Sequence, residues 1–234
     1  MEWSGYKWIK QERWGNIHPD KPMCWYDPSA VSIDDKGYLN LKTHYNPKEF
    51  ETLNVTSNIG VGLVSCTEKF GYGYFEIEAK LPRGKNLWPA FWMWSWDSWP
   101  PEIDIFEGYT RRTNGYFSFD FLNPFGFWNV QTNFHYGDVP NNTSEGAETH
   151  WMGFKDPSKN FIKYGCLWDR DKIQIFYNDK MVREITNPYV LRHFRHTNMN
   201  VIINNSIDTK ADIESKKESN FIIKYFKFIP KENL

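Results

Sequence analysis

The run Glu102-Ile103-Asp104-Ile105-Phe106-Glu107 sets three carboxylates into a stretch that is otherwise apolar and β-prone. Charge is costly there unless it is paired, hydrogen-bonded or neutralised. Side chains of a strand alternate between two faces, so Glu102 and Asp104 share one face while Glu107 points the other way. One extra residue around Ile105 and Phe106 would form a β-bulge and return Glu107 to the first face, and bulges are frequent beside active sites. Two carboxyl groups facing each other across a sugar ring carry out glycoside hydrolysis, and a separation of roughly 5 to 5.5 Å marks the retaining route. Asp104, the shortest of the three, leaves room between the glutamates, and its charge or a shared proton sets their proton affinities apart. Spacing alone leaves two other readings open: an edge strand with solvated acids, and a cation site built from carboxylate oxygens.

Upstream, Trp88-Pro89-Ala90-Phe91-Trp92-Met93-Trp94 alternates so that Trp88, Trp92 and Trp94 fall on one face with Ala90 as a gap among them. Flat, weakly polar rings suit the apolar faces of pyranose sugars, although aromatics at period two also fill sandwich cores. Of the 12 tryptophans, Trp88, Trp92, Trp94, Trp96 and Trp99 cluster just before the acidic run, a surplus that points to a sugar-lined cleft.

These side chains need a scaffold, and the chain reads as strands and turns with almost no helical period. Val31-Ser32-Ile33 and Tyr38 to Leu41 flank the turn Asp34-Asp35-Lys36-Gly37. Tyr72 to Leu81 alternates polar and apolar residues; Lys172 to Tyr177 turns at Asn178-Asp179 into Met181-Val182-Arg183; Phe221 to Ile229 is the last strand. A short helix is weakly signalled from Val190 to Arg195. The pattern predicts an all-β antiparallel sandwich or jelly roll, read as one domain over residues 1–234 because no composition break marks a linker.

A net charge of −1 gives no steering towards nucleic acid or a membrane surface. No apolar run is long enough to span a membrane. The start, Met1-Glu2-Trp3-Ser4-Gly5, lacks the regions of a signal peptide. Three cysteines, Cys24, Cys66 and Cys166, are too dispersed for a zinc or redox group; free buried thiols or a single disulfide account for them. Glycosylation sequons at Asn54, Asn141, Asn142 and Asn204 are taken as chance.

The segments Phe70-Gly71-Tyr72-Gly73-Tyr74-Phe75-Glu76, Ala79-Lys80-Leu81-Pro82, Trp88-Pro89-Ala90-Phe91-Trp92 and Glu102 to Glu107, in this order, resemble glycoside hydrolase family 16. The resemblance is to its branch with a bulged Glu-x-Asp-x-x-Glu motif, which includes laminarinase-type glucanases, agarases, porphyranases and κ-carrageenases. It continues through Asn133 to Gly137, Tyr164 to Val182 and Val201 to Asn204. It implies a β-jelly roll of two curved sheets with an open concave cleft, an endo-acting retaining mechanism, Glu102 as nucleophile, Glu107 as general acid/base and Asp104 as accessory carboxylate. Glu107 must then hold a proton before the reaction, with Ile105, Phe106 and Asp104 expected to raise its pKa.

For the substrate, Trp88, Trp92 and Trp99 are the expected stacking platforms, with His135, Asn204 and Arg111 as polar contacts. Arg111 and Arg112, with a further basic group at Arg192, His193, Arg195 and His196, would suit sulfate or carboxylate on a sugar; a solvated loop is the plainer account. Many relatives carry an Asp before Tyr at a structural calcium site. Here Lys224 precedes Tyr225, so neither metal nor cofactor is expected. The first substrate is a β-1,3- or mixed β-1,3/1,4-glucan; the alternatives are a marine galactan (agarose, porphyran or carrageenan), transglycosylation, or a non-catalytic polysaccharide-binding module. The expected setting is extracellular or periplasmic, as a trimmed mature monomer with no nucleic-acid partner.

Overall fold

The computed structural model describes residues 1–108, 116–117, 124–138, 141–144, 146–195, 197–208 and 218–234. Among these the chain folds into two sheets of nine strands each. The first runs, in spatial order, Glu2–Trp3, Tyr6–Ile9, Leu63–Cys66, Asn200–Ile207, Leu87–Ser95, Ser98–Glu107 and Trp128–Asp138, with Asn141–Ser144 and Glu148–Gly153 both pairing with the last of these. The second runs Lys180–Ile185, Ile173–Tyr177, Ile162–Trp168, Gly73–Lys80, Ser219–Pro230, Leu39–Phe50, Val55–Val61 and Trp25–Tyr26, with Val31–Ile33 also on Leu39–Phe50. Each sheet mixes sequence-adjacent neighbours, such as Leu87–Ser95 beside Ser98–Glu107, with distant ones, such as Leu63–Cys66 beside Asn200–Ile207, and the whole is an all-β jelly-roll sandwich.

Period-two alternation determines what lies between the sheets. Phe91, Met93, Ile103 and Val201 of the first sheet meet Phe75, Ile77, Tyr164 and Phe221 of the second, all fully buried in one core. The turns follow their residues. Asp34 accepts from Lys36 N and Tyr38 N, each at 2.9 Å, and closes the first hairpin. Asn178 and Asp179 both take positive φ (49° and 65°), the backbone of a two-residue hairpin that matches strand twist. Along Gly73–Lys80 the expected polar face is only half wet, because Glu76 is buried beneath Tyr74, Tyr225 and Lys227.

The short helix is Pro188–Leu191, capped by the Asn187 side chain, and Arg192–Phe194 continues it as a 3-10 turn. Phe194 packs edge-on against Phe134 of the core, and His193 lies against Tyr136. The basic group at Arg192, His193 and Arg195 is therefore on the core side of the first sheet, not beside the carboxylates; His196 lies outside the described residues. All three cysteines are buried free thiols. No described helix is long and apolar enough to cross a membrane.

Candidate active site

The acidic strand Ser98–Glu107 lies between Leu87–Ser95 and Trp128–Asp138. Asp104 pairs with Trp92 on one side and Asn133 on the other; Glu107 pairs with Ala90 and Gln131. Three residue steps on the acidic strand therefore match two on each neighbour. That is a bulge, and it turns both Ile105 and Phe106 into the core, where each is fully buried. Glu107 consequently shares the outer face of the sheet with Glu102 and Asp104. The carbonyl of Ile105, displaced by the bulge, accepts from Tyr177 Oη of the opposite sheet at 3.0 Å. Ile105 and Phe106, expected to raise the Glu107 pKa, instead point away from its carboxyl into the core.

Glu102 is half-buried, while Asp104 and Glu107 are buried. Burial raises the pKa of Glu102 to about 7; hydrogen bonds from Trp99 and Asp104 oppose the rise, and the charge of Glu107 adds to it. Asp104 is pushed well above the usual carboxylate range by burial first and then by the charges of Glu107 and Glu102 on either side. The central acid is thus biased towards its protonated form, and the three carboxyls titrate as a coupled set.

The remaining residues predicted for the site lie as follows. Trp88 Nε1 donates to Glu107 Oε2 at 2.9 Å, and Trp99 Nε1 donates to Glu102 Oε2 at 2.5 Å, so each glutamate is oriented by one indole. Trp99 is 38% exposed, carried outward by residues 99–101, which have no partners on Leu87–Ser95. Trp92 Nε1 donates to Asn204 Oδ1 at 2.8 Å, and Asn204 Nδ2 donates to Trp88 O at 3.2 Å. Asn204 and Trp92 therefore brace the tryptophan row, with Trp92 stacked on Trp94 at 6.2 Å. Burial of Asn204 in this network also removes it as a glycosylation acceptor in the folded chain. His135 lies opposite Glu102, its Nε2 3.6 Å from Asp104 Oδ2. Asn133 Oδ1 accepts from Phe134 N, which fixes the amide so that its Nδ2 donates to His135 Nε2 at 3.1 Å. The imidazole is then neutral with a bare Nε2, in keeping with a pKa lowered by burial and by Lys21. Arg111 and Arg112 lie outside the described residues.

Sequence reasoning missed the segment before Cys24. Glu12 is buried, accepting from Ser65 Oγ at 3.0 Å, and its pKa is raised to about 7 by burial, with the charge of Glu102 adding to the rise. The Arg13 guanidinium sits 4.8 Å from the Trp94 ring centroid and donates to Trp96 O; Trp14 lies 5.5 Å from Trp94. This wall covers the sheet beside the tryptophan row. Nothing local in the sequence announces it, since Glu12, Arg13 and Trp14 fit no periodic pattern.

One oxygen each from Glu102 and Asp104 and one nitrogen of His135 lie within 4.8 Å of one another, a donor set that could take a divalent cation. Lys21, close enough to influence both Glu102 and His135, opposes an added positive charge there. At the position read for calcium, Lys224 Nζ meets Glu78 Oε1 at 2.5 Å, so an ammonium already neutralises that carboxylate.

A jelly roll whose outer sheet face carries a bulged acidic strand bordered by tryptophans defines a carbohydrate-directed β-sandwich. The chain belongs to family 16 of the glycosyl hydrolases, whose family model matches residues 23–225. It is 23% identical over 221 residues to the endo-1,3-1,4-beta-glycanase EglC of Rhizobium meliloti, covering 89% of this chain and 43% of that one. It is 27% identical over 186 residues to glucan endo-1,3-beta-glucosidase A1 of Niallia circulans, covering 74% of this chain and 24% of that one. The chain thus spans less than half the length of these curated relatives. Among solved structures, the laminarinase catalytic domain of Thermotoga maritima superposes with a TM-score of 0.71 at 20% identity, covering 89% of this chain and 83% of that one.

Proposed function

We propose that the chain is a retaining, endo-acting glycoside hydrolase that cleaves internal linkages of a β-1,3- or mixed β-1,3/1,4-glucan by double displacement. The observation that carries this reading is the bulge that brings Glu102, Asp104 and Glu107 to one face beside Trp88 and Trp99. Glu107 gives its proton to the glycosidic oxygen as Glu102 attacks the anomeric carbon; the C–O bond to the leaving sugar breaks and a glycosyl-enzyme ester forms. The Glu107 carboxylate then takes a proton from water, whose oxygen attacks the same carbon and frees Glu102. Asp104, holding a proton, donates to Glu102 and eases its departure in the second step. The glucan assignment is supported by what EglC and the Niallia circulans glucosidase are named for. A polymeric substrate places the work outside the cytoplasm, in an extracellular or periplasmic setting.

The test is release of reducing ends from a panel of glucans and galactans. Wild type is expected to cut a β-1,3-glucan or mixed-linkage glucan fastest, Glu102→Gln to lose this activity, and Glu107→Ala to regain turnover with azide on an activated aryl glycoside, which needs no acid. A wild type that cuts no polymer, or a Glu107→Ala variant with full polymer activity, removes the reading.

A further inference from the structure

Phe125, Phe127, Trp151 and Phe154 form an aromatic cluster that the carboxylate chemistry leaves unused. The Phe127 ring lies 5.9 Å from Phe125, 6.2 Å from Trp151 and 5.1 Å from Phe154. Yet Phe125, Trp151 and Phe154 are 75%, 53% and 82% exposed. Rings of this size normally gain stability by leaving water, and an exposed contiguous group of them marks a surface that something covers.

The register gives the side of the sheet on which the cluster stands. Glu107 pairs with Gln131, Gln131 with Thr149, and Asn129 with Trp151. Partners across a sheet share a face, so Trp151 stands on the face of the three carboxylates, while its neighbour His150 turns inward to Thr132. Thr149 is two strand spacings, roughly 10 Å, from Glu107. Trp151 lies further along in the same direction in which Glu107 lies from Glu102. The strip between them is polar and uncharged: Gln131 Nε2 donates to Thr149 Oγ1 at 3.2 Å.

We infer that this cluster is a saccharide platform continuous with the carboxylate face, holding the part of the polymer that leaves on Glu107. The inference rests on the polysaccharide reading above. Its direction follows from the chemistry, since Glu107 protonates the leaving oxygen and the leaving chain therefore extends past Glu107. The ligand class follows from composition: uncharged rings separated by amides and a hydroxyl suit the apolar faces and hydroxyl edges of neutral pyranoses. Continuity with the carboxylate face favours the polymer over a protein partner.

The experiment measures binding separately from turnover. In a Glu102→Gln background, protein depleted from solution by an insoluble β-1,3-glucan is compared with and without Trp151→Ala and Phe154→Ala. Each ring removed is expected to weaken polymer binding by roughly threefold to tenfold, Trp151→Phe to restore most of the loss, and the melting temperature to stay put because both rings are exposed. Should the double variant fold poorly, the single Trp151→Ala carries the comparison. Unchanged polymer binding overturns the platform, as does a concentration-dependent dimer that the substitutions abolish while polymer binding persists. Failure of the wild type to release ends from any polymer strikes the hydrolase reading instead, and the binding comparison still judges the platform.

Discussion

Glu12 is fully buried and lies ahead of the residues the family model matches, yet it sits close enough to Glu102 for each charge to feel the other. Burial dominates its raised pKa of about 7, and the bonds from Arg13 N and Ser65 Oγ only partly offset it. An acid that resists ionisation in the folded chain but ionises freely when unfolded stabilises the fold below about pH 4.5 and loses that contribution as pH rises through about 7. Glu12→Gln cannot ionise in either state. It should match wild type near pH 4 and exceed it at pH 8 by on the order of 3 kcal/mol, with the difference opening between those limits. Urea unfolding at the two pH values measures it; equal stability at pH 8 would sink the assignment.

The bulge is the element on which the site depends, and Tyr177 is its support. In a strand with strict alternation Glu107 would face the core; the extra residue reverses this at the cost of a displaced carbonyl at Ile105, which Tyr177 Oη satisfies across the sandwich. A buried acceptor left without its donor costs about 1 to 3 kcal/mol. Tyr177→Phe should therefore lose about that much stability and also lower kcat with little change in KM, because the strand that aims Glu107 is loosened while the tryptophan face is untouched. A variant with reduced stability but wild-type kcat would show that Tyr177 only fills the core. The need for a bulge was legible in the sequence, since three acids in one apolar strand make chemical sense only on one face. Its support was not, because Tyr177 follows Ile105 by more than seventy residues and meets it only when the sheets pack. Ile105 and Phe106 were expected to raise the Glu107 pKa, but a bulge sends both to the core, where simple alternation sends one.

At the scale of the whole molecule, alternation made part of the strands after Val31 legible, as the hairpin closed by Asp34 and the one turning at Asn178-Asp179 illustrate, whereas Val55–Val61, Leu63–Cys66 and Glu148–Gly153 were not read from it. The first thirty residues were not legible, since Trp3 and Trp8 enter the main core and Arg13 and Trp14 border the active face through contacts with Phe226 and Trp94, which lie far along the chain. Charge is the remaining global property that bears on substrate. Lys and Arg number 28 against 29 Asp and Glu, and the basic group at Arg192 to Arg195 faces away from the carboxylates. Without a long-range field, association with a neutral polymer should be nearly indifferent to ionic strength, whereas capture of a sulfated or carboxylated one would be screened. Turnover of the preferred polymer at limiting concentration should change by less than about twofold between about 0.05 and about 0.5 M sodium chloride. A fall of roughly tenfold over that range would mean that arginines, among them Arg111, grip anionic groups on the sugar, and would move the substrate from a neutral glucan to a charged galactan.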